Sequence, residues 1–317
     1  MRITFVAPST PVPIGGTTAI FEFANGLASL GHDVPIVPVD FGSGITPVEQ
    51  VWWHRFHPAI THTDSAPPAG DVAISFDGIP RPDLGRPFMW VQAWRILPEA
   101  LEEQIYSASC PKLCTSRFLQ EQVIRHGSGP ALHVPYGLHH SKYRQTVAYD
   151  DRGQTISMLF NPHPTKGARV GIAAIEAARE RLPDLQAVLF GTFPRQRQLP
   201  DWIRYLENPP QEQIVDLYNA SRVFVQSSVI EGFGLASVEA MACGATLVTT
   251  DCGGSRDYAD ETCAFVVPPL EFDALADGIV EALTTPRGRD LAQAGQRRAC
   301  EYDWTTASAA LEKALIS

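Results

Sequence analysis

The sequence predicts two doubly wound α/β domains, each built on a parallel sheet, on three observations. Short apolar strand segments alternate with amphipathic helical segments along nearly the whole chain. A glycine-bearing loop joins the first strand to the first helix, and the same rhythm restarts after a polar stretch near the middle. At 317 residues the chain is long enough for two hydrophobic cores.

Ile3 to Ala7 is an apolar strand, followed by the turn-rich loop Pro8 to Gly16. A helix is expected from about Thr17 to Leu30, with Phe21, Phe23, Ala24, Leu27, Ala28 and Leu30 on its apolar face and Gly31 as its stop. Val34 to Val39 is the next strand, which completes a βαβ unit and implies parallel pairing. Strands follow at Val72–Phe76 and Phe88–Val91, helices at Glu99–Ser107 and Arg117–His126, and a strand at His133–Gly137. Thr146 to Gln154 is polar, without periodicity, and is taken as the linker.

The second half holds strands at Ile156–Phe160, Ala187–Phe190, Val223–Gln226, Thr246–Thr249 and Phe265–Val267. Helices are expected at Gly167–Glu180, Gln211–Asn219, Phe233–Ala242 and Phe272–Leu283, and the tail Trp304–Leu315 is helical. The expected division is therefore residues 1–148, residues 149–302, and a final helix over 303–317 that crosses back onto the first domain. Two such domains would face each other across a cleft at the carboxyl ends of their strands, where open α/β sheets bind ligands.

Composition narrows the function. The formal net charge is -10, and no Lys/Arg cluster suggests a nucleic acid partner or an anionic membrane. The N-terminal apolar stretch is too short for a signal-peptide core and no run approaches a membrane span, so a cytoplasmic protein is expected. The six cysteines lack paired metal-ligand spacing and read as reduced, mostly buried thiols. No metal and no other cofactor is expected. A pyridine-nucleotide dehydrogenase would carry GxGxxG after its first strand, but the loop here reads Ile14-Gly-Gly-Thr-Thr-Ala-Ile20.

The richest segment is Glu231-Gly-Phe-Gly-Leu-Ala-Ser-Val-Glu-Ala-Met-Ala-Cys-Gly244, directly after an apolar strand. Gly232 and Gly234 let backbone approach a ligand. The first N–H groups of the following helix favour phosphate oxygens. Glu231 and Glu239 frame the turn, about 12 Å apart along the axis were the stretch all helical. Carboxylates accept from hydroxyl pairs, as the acidic residue on ribose does in dinucleotide folds. A second glycine turn follows at Cys252-Gly-Gly-Ser255.

These motifs, with Thr249-Thr-Asp-Cys-Gly-Gly254, Pro164-Thr-Lys-Gly167, Gly15-Gly16, Cys114-Thr-Ser-Arg-Phe118 and Pro135-Tyr-Gly-Leu-His139, resemble the retaining GT-B glycosyltransferases of family four. The resemblance covers nearly the whole chain. It implies a GT-B fold and transfer of a hexose-type sugar from a nucleotide-diphosphate donor to a hydroxyl of a glycan, glycoside or small molecule, without a metal. By resemblance, Glu239 would hold the donor ribose and Glu231 the hydroxyls of the transferred sugar. The N–H groups of Phe233, Gly234 and Leu235 would face diphosphate or sugar. Lys166 would neutralise the leaving diphosphate, and Gly16 would let the N-terminal loop approach the phosphates. A front-face mechanism fits the family, since no carboxylate suggests itself as the covalent nucleophile that double displacement needs.

Two positions depart from the family pattern. Asn161 stands five residues before Lys166, where many members carry an arginine; Arg169 or Arg195 are the candidates to replace its charge, with His163 assisting. Gln92 stands where many relatives have a histidine, with Asp77 as an alternative contact. Catalytic candidates are thus Lys166, Glu231, Asn161 and Gln92. These departures keep two further readings open: a sugar-nucleotide-binding partner with little or no activity, and a GT-B-fold epimerase of nucleotide sugars. The aromatic run Trp52-Trp53-His54-Arg55-Phe56-His57 is expected to pack in the core, with Arg55 and His57 its exposed members, or else to line an acceptor pocket.

Overall fold

The computed structural model describes residues 1–40, 45–47, 50–63, 67–76 and 78–317; Asp77 lies outside them. The chain divides into two units, Met1–Gly137 with Asp303–Ser317, and Leu138–Tyr302.

The first unit contains β1 (Ile3–Pro8), α1 (Gly15–Ser29), β2 (Val34–Val39), β3 (Ile60–His62), β4 (Val72–Ser75), β5 (Arg86–Val91), α2 (Glu99–Ser107), β6 (Lys112–Cys114), α3 (Arg117–His126) and β7 (Ala131–His133). Its sheet has the order β3-β2-β1-β4-β5-β6-β7, and every pairing is parallel. β1 lies at the centre, with Phe5 opposite Ile36 on one side and Ile74 on the other. Its run of apolar residues without alternation fits a strand covered on both faces.

The second unit contains β8 (Thr155–Leu159), α4 (Ala168–Arg181), β9 (Gln186–Gly191), β10 (Arg204–Glu207), α5 (Gln211–Ala220), β11 (Val223–Gln226), α6 (Leu235–Ala242), β12 (Thr246–Thr250), β13 (Phe265–Val267), α7 (Phe272–Thr284) and α8 (Pro286–Ala299). The order β10-β9-β8-β11-β12-β13 is again all parallel. Counted from its own first strand this is 3-2-1-4-5-6, the order of doubly wound nucleotide-binding sheets. Ile156, Val223 and Val248 from the strands meet Ile175 of α4 and Leu275 and Ile279 of α7 in one core. Each such side chain contributes about 1.5–3 kcal/mol on full burial.

The last helix, α9 (Trp304–Ile316), packs on α1 within the first unit. Trp304 meets Phe23 edge to face at 5.1 Å, and His32 Nε2 lies 2.7 Å from Glu312 Oε1. The helices approach so closely that a Cβ on Gly26 would lie 1.8 Å from Ser308 Oγ.

Several local readings change. Thr146–Gln154 is not a free linker but is stitched into the second unit. Thr146 N donates to Asn219 Oδ1 at 2.7 Å, and the buried Arg152 donates to the carbonyls of Val147, Ser221 and Cys243. The first helix takes in Gly15 and Gly16, whereas α6 starts at Leu235 because Gly234 precedes it in a left-handed conformation, φ 104°. Of the aromatic run, Trp53, His54 and Phe56 pack on Phe21. Trp52 is the exposed aromatic at 66%, Arg55 is exposed, and His57 is half-buried with its N–H on Asn25 Oδ1.

Candidate functional site

The glycine turn before α6 is built from three chain segments. Glu231 bridges to Gly253, donating its N–H to Cys252 O at 2.7 Å and accepting from Gly254 N at 3.0 Å. A Cβ on Gly254 would fall 2.4 Å from Gly232 O, so the two glycine turns meet backbone to backbone. The third segment is the lysine turn: Thr165 O accepts from Val229 N at 2.7 Å and Ile230 N at 3.2 Å. Gly167 closes that turn at φ 59°, where a Cβ would lie 2.0 Å from Ser227 O. Only glycine fits there without strain.

This stitching delivers Lys166 to Glu231. Lys166 Nζ lies 2.7 Å from both carboxylate oxygens, with side-chain exposures of 25% and 11%. Gln226 and Ser228 donate to Glu231 Oε1 as well, at 2.9 and 2.8 Å. Phe233 is buried against Tyr258 and Tyr302, so its ring anchors the turn. Gly234 is irreplaceable for two reasons: its left-handed φ, and Tyr258 Oη 2.4 Å from where a Cβ would stand. α6 then begins at the half-buried Leu235, and the first N–H groups of a helix have no acceptors within it. Glu231 is outside the helix, so the two glutamates are not separated by a continuous helical rise.

Glu239, half-buried on α6, accepts from Tyr218 Oη at 3.1 Å. Burial raises its carboxyl above the ordinary glutamate range, against the opposing influence of the Tyr143 and Tyr218 hydroxyls and the Lys142 charge. Burial, then the charge of Glu231, pushes the Cys252 thiol up to about 11, and burial takes Cys243 to about 12. Both therefore stay thiols near neutral pH and offer no thiolate nucleophile.

Asn161 is half-buried, and its carboxamide oxygen accepts from His163 N at 2.9 Å, closing its own turn. Of the candidates to replace its missing charge, Arg195 is committed elsewhere: it donates to the carbonyls of Ile203, Leu199 and Pro200. His163 is engaged with Thr165 Oγ1 at 2.7 Å. Arg169 is exposed in the first turn of α4.

Gly16 and Gln92 come together in the first unit. A Cβ on Gly16 would lie 2.8 Å from Gln92 Oε1, which accepts from the buried Tyr136 hydroxyl at 3.1 Å. Trp90 is core, while Trp94 stacks on His126 at 5.1 Å.

Sequence reasoning did not find Gln226, Ser228, Tyr218 or Tyr143. Gln226 carried a signal, a polar residue ending an apolar strand; the tyrosines carried none. Among the described residues, no three of His, Cys, Asp and Glu gather as a metal-binding set, and no helix is long and apolar enough to cross a membrane.

Comparison with known proteins agrees with this architecture. Residues 154–285 match the family described as "Glycosyl transferases group 1". O-antigen chain mannosyltransferase B of Escherichia coli is 36% identical over 104 residues, 32% of this chain and 27% of that protein. Alpha-maltose-1-phosphate synthase of Mycolicibacterium smegmatis is 30% identical over 164 residues, 42% of this chain and 41% of the relative. These matches span well under half the length of the curated relatives. Among solved structures, HepE of Anabaena, in complex with UDP and glucose, superposes with TM-score 0.78 at 17% identity, covering 99% of both chains. Sucrose-phosphate synthase of Thermosynechococcus elongatus gives TM-score 0.76 at 17% identity, covering 98% of this chain and 97% of the other. The fold is GT-B, and residues 154–285 of the second unit are similar to the group 1 glycosyl transferases.

Proposed function

We propose that this protein is a retaining glycosyltransferase that moves a hexose from a nucleotide-diphosphate donor to a hydroxyl of a glycan, glycoside or small-molecule acceptor. One observation carries the reading: Lys166 and Glu231 meet at the glycine turn that opens α6, and Glu239 follows on the same helix. In this reading the Lys166 ammonium and the first N–H groups of α6 receive the diphosphate. Glu239 accepts from the ribose hydroxyls, and Glu231 from hydroxyls of the transferred sugar. As the glycosidic bond breaks, charge grows on the diphosphate, and a preorganised lysine stabilises it without needing a metal ion. Glu231 is engaged by three side chains and both nearby thiols stay protonated, so a front-face route suits the site better than a covalent intermediate. Gln92, held by Tyr136, would orient a sugar hydroxyl, and Gly16 leaves room for its carboxamide. The UDP and glucose bound by HepE and the mannosyl transfer named for the E. coli relative support a nucleotide-sugar donor.

A second reading, a sugar-nucleotide-binding protein without transfer, draws support from Asn161, which brings no charge, and from Arg195, which is committed to backbone carbonyls. The test is calorimetric titration with UDP, GDP, ADP and dTDP on wild type and Glu239→Ala, then incubation with the matching nucleotide sugar. One nucleotide bound by wild type and lost in the variant, with sugar transferred or hydrolysed, supports the transferase. Binding without turnover supports the second reading, and conversion of the nucleotide sugar without acceptor would indicate an epimerase. No binding at all refutes the donor site.

A further inference from the structure

Gln226 ends β11, whose preceding residues Val223, Phe224 and Val225 are fully buried. At 6% exposure its amide needs partners, since a buried polar group without them is costly. Its Nε2 donates to Ser228 Oγ at 2.8 Å and to Glu231 Oε1 at 2.9 Å, which uses both amide protons. The Ser228 hydroxyl donates to the same Oε1 at 2.8 Å. Lys166 Nζ sits 2.7 Å from each carboxylate oxygen. Oε1 therefore takes three side-chain donors and Oε2 takes one.

A carboxylate has about four lone-pair positions across its two oxygens. The donors are distributed so that one oxygen is saturated and the other keeps accepting capacity. We propose that Gln226, together with Ser228, is a positioning residue for sugar recognition: it loads Oε1 of Glu231 and thereby presents Oε2 to a hydroxyl of the transferred sugar. This rests on the reading of Glu231 as the sugar contact. The terminal torsion of a glutamate is broad and two-fold, so Lys166 alone, bonding both oxygens alike, does not choose between them. Gln226 and Ser228 break that symmetry. Their contribution falls on the sugar and not on the nucleoside diphosphate, which the reading assigns to Lys166, Glu239 and the start of α6.

The test is titration of whichever of UDP, GDP, ADP and dTDP wild type binds, and of the matching nucleotide sugar, into wild type, Gln226→Met and Ser228→Ala. In the variants, affinity for the nucleoside diphosphate stays within about twofold while affinity for its nucleotide sugar falls about tenfold, the loss for a hydrogen bond to a charged group. Ser228→Ala deletes only a hydroxyl, so it keeps the test sharp if the larger change perturbs folding. A merely structural role would lower both affinities together. That result, or no change in either, overturns the inference while leaving the donor reading intact. Wild type that binds none of UDP, GDP, ADP and dTDP overturns the donor reading and this inference with it.

Discussion

The pair Lys166–Glu231 is the point where the site is most exposed to a quantitative test. Replacing Lys166 by Met leaves a carboxylate that is 11% exposed with two neutral donors, Gln226 and Ser228. Hydrogen bonds to charged groups contribute about 1.5–3 kcal/mol net. Lys166 is a quarter exposed, which screens the pair, so we expect Lys166→Met to cost about 2 kcal/mol. Glu231→Gln should cost a similar amount, because it strands the ammonium. The double variant removes both charges and should cost less than the sum, with a coupling energy of about 1–2 kcal/mol. For a unit of this size, each single variant should lower Tm by about 4–8 °C. The assay is urea denaturation of the four proteins, closed as a double-mutant cycle. Additivity within about 0.5 kcal/mol would refute the claim that the two side chains are coupled in the unliganded protein.

Other outcomes follow from the same geometry. Gly167→Ala should destabilise by about 2–4 kcal/mol, because a left-handed backbone and the Ser227 carbonyl both oppose a Cβ; a thermal melt reads this directly. Gly26→Val should separate α9 from α1 and cost about 2–4 kcal/mol, visible as earlier protease cleavage of the 303–317 segment. Nucleotide binding should weaken as pH falls, beginning above the ordinary glutamate range, because ribose recognition needs the ionised Glu239, whose carboxyl is raised. The stability contribution has the opposite sign. A carboxyl raised by folding binds more protons folded than unfolded, so its contribution is present at low pH. It is lost as pH rises from the ordinary glutamate range through the raised value. Titration calorimetry between pH 5 and 8 checks the first statement and fails it if binding is flat or if Glu239→Gln keeps the same profile.

The two parallel sheets were legible because their central strands, such as β1, β4 and β11, are mostly apolar and several helices carry large residues on one face. α8 was not. Its buried face is Gly288, Leu291, Ala292, Gly295 and Ala299, small residues that pack closely but leave almost no periodic hydrophobic signal. β10 was missed for a related reason, since an edge strand reading Arg-Tyr-Leu-Glu has both ends exposed. At the site, Glu231 and Glu239 stood out by the glycine turn they frame, and Lys166 by the resemblance of Pro164-Thr-Lys-Gly167 to a family motif. The roles of Asn161 and Arg195 could not, because both depend on which nearby carbonyl or N–H the fold brings within reach. The tyrosine beside Glu239 comes from α5, twenty-one residues away, and no local pattern announces such a partner.

The first unit is discontinuous in sequence, since α9 is separated from the rest of it by the whole of the second unit. On the ribosome, residues 1–137 emerge first, yet the apolar face of α1 at Phe23 and Gly26 waits for Trp304 and Ser308. The second unit is contiguous and can close as soon as it is made. The half synthesised first is thus completed last, and the face of α1 that meets α9 waits for its partner while some 165 further residues are translated.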